Sequence, residues 1–109
     1  MGKHYLLNLY DVDPLLLMEM DNFIEFINPT LTDCLAEILS ESKHKFLGGG
    51  GYTYLALLST SHFSIHTWPE RSSAALDLFT CGEIKSEEII HYIIKYFNPV
   101  NYDLKAITR

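Results

Sequence analysis

The densest collection of reactive side chains lies in one short stretch, Ser59-Thr60-Ser61-His62-Phe63-Ser64-Ile65-His66-Thr67-Trp68-Pro69-Glu70. It holds three serines, two histidines, the only tryptophan and a carboxylate. A second run, Asp77-Leu78-Phe79-Thr80-Cys81-Gly82-Glu83, puts a thiol at the end of an apolar segment, where a side chain can reach a cleft. Three chemistries use such groups. A metal would take His62 and His66, four apart on one face of a strand, with Cys81 as third ligand. Without a CxxC or HExxH partner that spacing is a weak signal, and no metal is assigned. A serine or cysteine nucleophile needs an imidazole within hydrogen-bond reach. Self-processing at a serine needs a hydroxyl poised on the preceding carbonyl, a strained peptide bond and a nearby acid or base. Spacing leaves all three open.

Hydropathy patterning predicts the elements that carry these groups. His4–Tyr10 reads as a first strand. Asp13-Pro14 then opens a helix as N-cap and first helical residue. Leu16, Leu17, Met20, Phe23, Ile24 and Ile27 give that helix an apolar stripe, and Asn28-Pro29 is expected to end or interrupt it. Strands are predicted at Ile38–Phe46, Tyr52–Leu58, Phe63–Thr67 and Ala74–Cys81, the first two joined across the glycine run Gly48–Gly51. A second helix follows, with Ser86 as N-cap, acidic residues in its first turn, and Ile89, Ile90, Ile93, Ile94 and Phe97 facing inward. Asn98-Pro99 stops it, and Tyr102–Ile107 forms the last strand. The expectation is α+β: an antiparallel β-sheet with two helices on one face.

Composition narrows the function. One domain spanning residues 1–109 is expected, with 48% hydrophobic and 20% charged residues. The net charge of −6 argues against a nucleic-acid binder, since nothing would offset the polyanion. The longest apolar runs, Leu15–Met18 and Tyr54–Leu58, fall far short of the ~20 residues of a membrane span. Two cysteines do not make a disulfide framework, so a cytoplasmic protein with reduced thiols is expected.

The run Ser61–Glu70, followed by Ala75–Glu83, closely resembles the bacterial and archaeal S-adenosylmethionine decarboxylases, and the opening Gly2–Tyr10 with Asp13 is similar to that family's first strand. The resemblance implies a proenzyme. The Ser61 hydroxyl would attack the Thr60 carbonyl and convert the amide to an ester; elimination, then hydrolysis with loss of ammonia, would leave a β chain of residues 1–60 and an α chain of residues 61–109 that begins with a pyruvoyl group made from Ser61. That ketone would form a Schiff base with the substrate amine and draw off electrons as carbon dioxide leaves. By the same resemblance His66, with Thr53, assists processing; Cys81 reprotonates the product carbon; Glu70 holds the ribose hydroxyls. Trp68 would line the pocket, an aromatic face suiting adenine or a sulfonium cation. A homodimer layered α/β/β/α, with active sites near its interface, is also implied, as is a product that donates aminopropyl groups for spermidine synthesis.

Several positions depart from the family pattern. Thr60 stands where most members have glutamate, and Asn8 replaces an acidic residue. Leu47 occupies the place of an aromatic that stacks on adenine, with Phe46 one position away as a substitute. Relatives of this fold decarboxylate arginine or ornithine, and an unprocessed binding or regulatory homologue is a further alternative. Strict strand alternation places Ser61 and His66 on opposite faces, so the two are expected to meet only if the backbone breaks register near the cleavage point.

Overall fold

Alternating burial runs the length of each central strand, and that pattern builds the sheet. The computed structural model describes residues 1–109. Its strands are β1 (Gly2–Tyr10), β2 (Ile38–Lys45), β3 (Tyr52–Leu58), β4 (His62–Trp68), β5 (Ser73–Cys81) and β6 (Asn101–Thr108). They form one sheet in the order β2-β3-β4-β5-β1-β6, and every neighbouring pair is antiparallel. Three helices, α1 (Pro14–Met18), α2 (Met20–Asp33) and α3 (Ser86–Phe97), complete the α+β fold. A 3₁₀ turn, Pro69–Arg71, links β4 to β5.

The core lies between the helices and one face of the sheet. Leu7, Leu9, Tyr52, Tyr54, Phe63, Ile65 and Leu78 point inward and meet Phe23, Ile27 and Leu31 of α2 and Ile89, Ile93 and Phe97 of α3. Phe23 stacks on Phe63 and Phe97, with ring centroids 6.2 and 5.4 Å away, so one side chain joins both helices to the sheet. The opposite face carries no helix, because only the inward positions are continuously apolar. It presents Leu6, Leu55, Leu57 and Phe79 interleaved with His4, Asn8, His62, Ser64, His66 and Asp77.

Three local expectations need correction. The first predicted helix is two, divided at Glu19, whose backbone (φ −91°, ψ 74°) is not helical. Pro29 does not end α2, which continues to Asp33. The carbonyl that Pro29 deprives of a donor belongs to Glu25, and both residues are on the exposed side, where the carbonyl is open to solvent. Ser86 is not the cap of α3; Lys85 is. The Ser86 hydroxyl is buried 2.6 Å from Thr80 Oγ1 on β5, so it locks the helix to the sheet. β4 is regular throughout, and with no register break from His62 to His66, Ser61 and His66 do not meet within one chain.

Gly51 is demanded by close approach: a Cβ there would fall 2.2 Å from the Thr67 carbonyl oxygen. The glycine run is therefore a hairpin connection, closed by the Phe46 N–H donating to the Gly51 carbonyl at 3.0 Å. No helix is long and apolar enough to cross a membrane.

Candidate active site

Ser61 sits at the exit of the β3–β4 hairpin. Leu58 N–H donates to its carbonyl at 3.0 Å, leaving only Ser59 and Thr60 in the turn. The Ser61 side chain is almost wholly buried, at 6% exposure. Its Oγ accepts a hydrogen bond from the peptide N–H of Cys81 at 3.1 Å. The β4–β5 pairing of His62 with Phe79 brings these two residues together from twenty positions apart. Thr60 Oγ1 lies 3.5 Å from Ser61 Oγ. Gly2 of β1 passes close by, and a Cβ on it would come within 3.0 Å of Cys81 Sγ, so glycine keeps the thiol's surroundings open.

His66 and Thr53 form a second cluster. They are register partners on β4 and β3, and the Thr53 hydroxyl meets His66 Nδ1 at 3.0 Å. The Trp68 ring, 38% exposed, lies 6.2 Å from the His66 ring. Glu70 follows in the 3₁₀ turn and is exposed. Phe46, 51% exposed, packs edge-on against His44 with centroids 4.6 Å apart, and His44 is the register partner of Thr53. Thr53, His66, Trp68, Glu70 and Phe46 thus gather at one end of the sheet.

Ser61, Thr60 and Cys81 occupy the other end. Ser61 and His66 are five residue steps apart along extended chain, about 16 Å at 3.3 Å per step. One protomer therefore does not join the expected nucleophile to the expected processing histidine.

A third polar cluster was missed by the linear reading. Asp77 on β5 takes hydrogen bonds from Ser64, His4 and His62, the last two through Nε2 at 2.7 and 3.3 Å from Asp77 Oδ2. Burial pushes the Asp77 carboxyl up, but hydrogen bonds from Ser64, His4 and His62 outweigh it and hold the group below the usual carboxylate range. The only sequence signal was the recurrence of polar residues at alternate positions of three strands. The other thiol, Cys34, is buried, which pushes its pKa up, and it lies outside all three clusters.

Comparison with known proteins adds family context. Residues 3–109 match the family model described as S-adenosylmethionine decarboxylase. An S-adenosylmethionine decarboxylase proenzyme of Methanococcus aeolicus is 36% identical over 110 aligned positions, covering 100% of this chain and 93% of the relative. One from Bacillus cereus is 41% identical, covering 99% of this chain and 88% of its own length. The crystal structure of the adenosylmethionine decarboxylase from Aquifex aeolicus superposes with a TM-score of 0.90 at 32% identity, covering 100% of this chain and 90% of that one.

Proposed function

The chain belongs to the S-adenosylmethionine decarboxylase family, and from that premise we propose that it removes carbon dioxide from S-adenosylmethionine after cleaving itself between Thr60 and Ser61. The observation that carries this reading is the contact of Ser61 Oγ with the Cys81 N–H. It orients the hydroxyl at the mouth of a two-residue turn, beside the carbonyl of Thr60, and places a free thiol next door. These residues fit a pyruvoyl group made in place from Ser61. Such a group supplies an electrophilic carbon for the substrate amine and a sink for the electrons released with carbon dioxide.

The rest of the chemistry falls to this chain's own side chains. His66, held by Thr53, moves the proton in the elimination that opens the chain. Cys81 donates a proton to the carbon that has lost its carboxylate. Glu70 accepts hydrogen bonds from the ribose hydroxyls. Trp68 and Phe46, exposed at the same end, offer aromatic faces to adenine or to the sulfonium.

Two half-sites at opposite ends of the sheet become whole sites when a second copy packs on its helix-free face with strands reversed. Ser61 and Cys81 of each protomer then meet Thr53, His66, Trp68 and Glu70 of the other. Leu55, Leu57 and Trp68, 44, 53 and 38% exposed, give that face the apolar surface such packing buries. The homodimer is the α/β/β/α sandwich, with the reaction at its interface.

Intact mass under denaturing conditions tests the proposal. Two chains, residues 1–60 and 61–109, the second blocked by a carbonyl, are expected, with carbon dioxide released from S-adenosylmethionine and not from arginine or ornithine. A single stable chain with an unmodified Ser61 overturns the self-processed enzyme. Release from arginine or ornithine instead overturns the substrate assignment alone.

A further inference from the structure

We propose that His4, His62 and Asp77 form a binding site for one divalent transition-metal ion on the helix-free face of the sheet, separate from the residues assigned to the reaction. Linear spacing pairs His62 with His66 and Cys81, but the fold breaks up that set. His66 is engaged by Thr53, and Cys81 lies beside Ser61. The fold brings His4 and Asp77 to His62 in their place.

The convergence follows from register. Phe79 on β5 is the pairing partner of both His4 on β1 and His62 on β4. The two imidazoles therefore flank one ring, with centroids 6.0 and 5.8 Å from it and 5.8 Å from each other. Asp77, two residues along β5 on the same face, reaches between them. One donor atom from each of the three lies within 4.8 Å of the other two.

Tetrahedral coordination with bonds of about 2.0–2.2 Å sets ligand atoms about 3.4 Å apart. His62 Nε2 is already 3.3 Å from Asp77 Oδ2 and His4 Nε2 is at 2.7 Å, so these two sides of the triangle need to adjust by less than about 1 Å. Two imidazoles and one carboxylate suit Zn²⁺, Co²⁺ or Fe²⁺ over Mg²⁺ or Ca²⁺ and leave open positions for water. Ser64 donates to the other carboxylate oxygen, Oδ1, which orients Oδ2 toward the imidazoles as an outer partner of a ligand would. The His4, His62 and Asp77 side chains are 23, 45 and 24% exposed in the single chain, and in the proposed dimer the ion would lie at the interface between the two copies. It would tie three strands together one residue from Ser61.

Titration of tag-free, full-length protein with Co²⁺, followed by visible absorption, tests the site. One ion per chain is expected, without a sulfur charge-transfer band, and with binding retained in Cys81→Ser. His62→Ala and Asp77→Asn should lose stoichiometric binding, while Ser64→Ala weakens it about tenfold. Should those variants fail to fold, histidine ring signals of the unsubstituted protein decide the matter by NMR during titration with Zn²⁺. His4 and His62 should shift while His44, His66 and His91 do not. No binding, loss of binding in Cys81→Ser, or shifts at His66 instead would overturn the proposal and leave a hydrogen-bonded network only.

Discussion

Cys81 meets Ser61 through its peptide nitrogen, at 3.1 Å, and not through its thiol, so the two parts assigned to this residue separate experimentally. Cys81→Ser keeps the N–H. Cleavage into residues 1–60 and 61–109 should then persist within a few-fold, while carbon dioxide release falls about 10²-fold, because a hydroxyl is a far weaker acid than a thiol. Gel analysis of cleavage beside a release assay checks both, and equal losses in the two would refute the separation. The Thr53 hydroxyl reaches the site only through His66 Nδ1, at 3.0 Å. His66→Ala should slow fragment appearance about 10²-fold, Thr53→Val less, and the double variant no more than His66→Ala alone. Additive losses would mean that Thr53 acts independently.

Among the elements, β2 is exposed along nearly its whole length and needs an anchor to stay in the sheet. Glu41 supplies it. Its carboxylate accepts from the Tyr54 hydroxyl at 2.6 Å and from Asn28 Nδ2 at 3.2 Å, tying β2 to β3 and α2. The Tyr54 hydrogen bond, aided by Asn28, holds the Glu41 carboxyl below its ordinary range. A carboxyl whose pKa is lowered on folding contributes stability above its unfolded pKa and loses it as pH falls through the folded one. Tyr54→Phe should therefore cost about 1 kcal/mol near neutrality, and the gap to the unsubstituted protein should narrow on acidification through the carboxylate range. Denaturant midpoints at several pH values read this, and a gap that widens toward acid would contradict it. Phe23 is fully buried at the centre of both helix contacts, so Phe23→Ala should cost roughly 3–5 kcal/mol in the same assay. Thr67 is a quieter structural device. Its hydroxyl accepts from Tyr52 N–H and donates to the Leu17 carbonyl, pinning α1 to β4.

For the whole molecule, the proposed division into two half-sites makes a prediction that no single-chain site would share. In a mixed dimer of Ser61→Ala and His66→Ala chains, one site holds both defects and the other holds neither. Each variant alone should stay uncleaved on the timescale of normal processing. Co-expression or subunit exchange should restore cleavage, confined to the His66→Ala chains because they alone keep Ser61. Failure of mixed dimers to cleave, with dimer formation verified, would mean that Ser61 draws on no partner histidine.

Residue types and their order were legible from the chain alone: the Ser61–Glu70 run, Cys81, the sheet-and-helix class and most strand limits follow from alternation, turn residues and a specific local pattern. Such signals are local, and sequence carries local information directly. What the linear reading could not supply was which residues meet. The contact between Ser61 and Cys81, the distance separating Ser61 from His66, and the convergence of His4, His62 and Asp77 all arise from the register of antiparallel strands. The start of α3 differs from the local pattern for the same reason, since Thr80 on a neighbouring strand engages the Ser86 hydroxyl. A shift of one residue in register would turn each strand's side chains to the other face, so only the packed core, by burying one face, decides which chemistry the open face assembles.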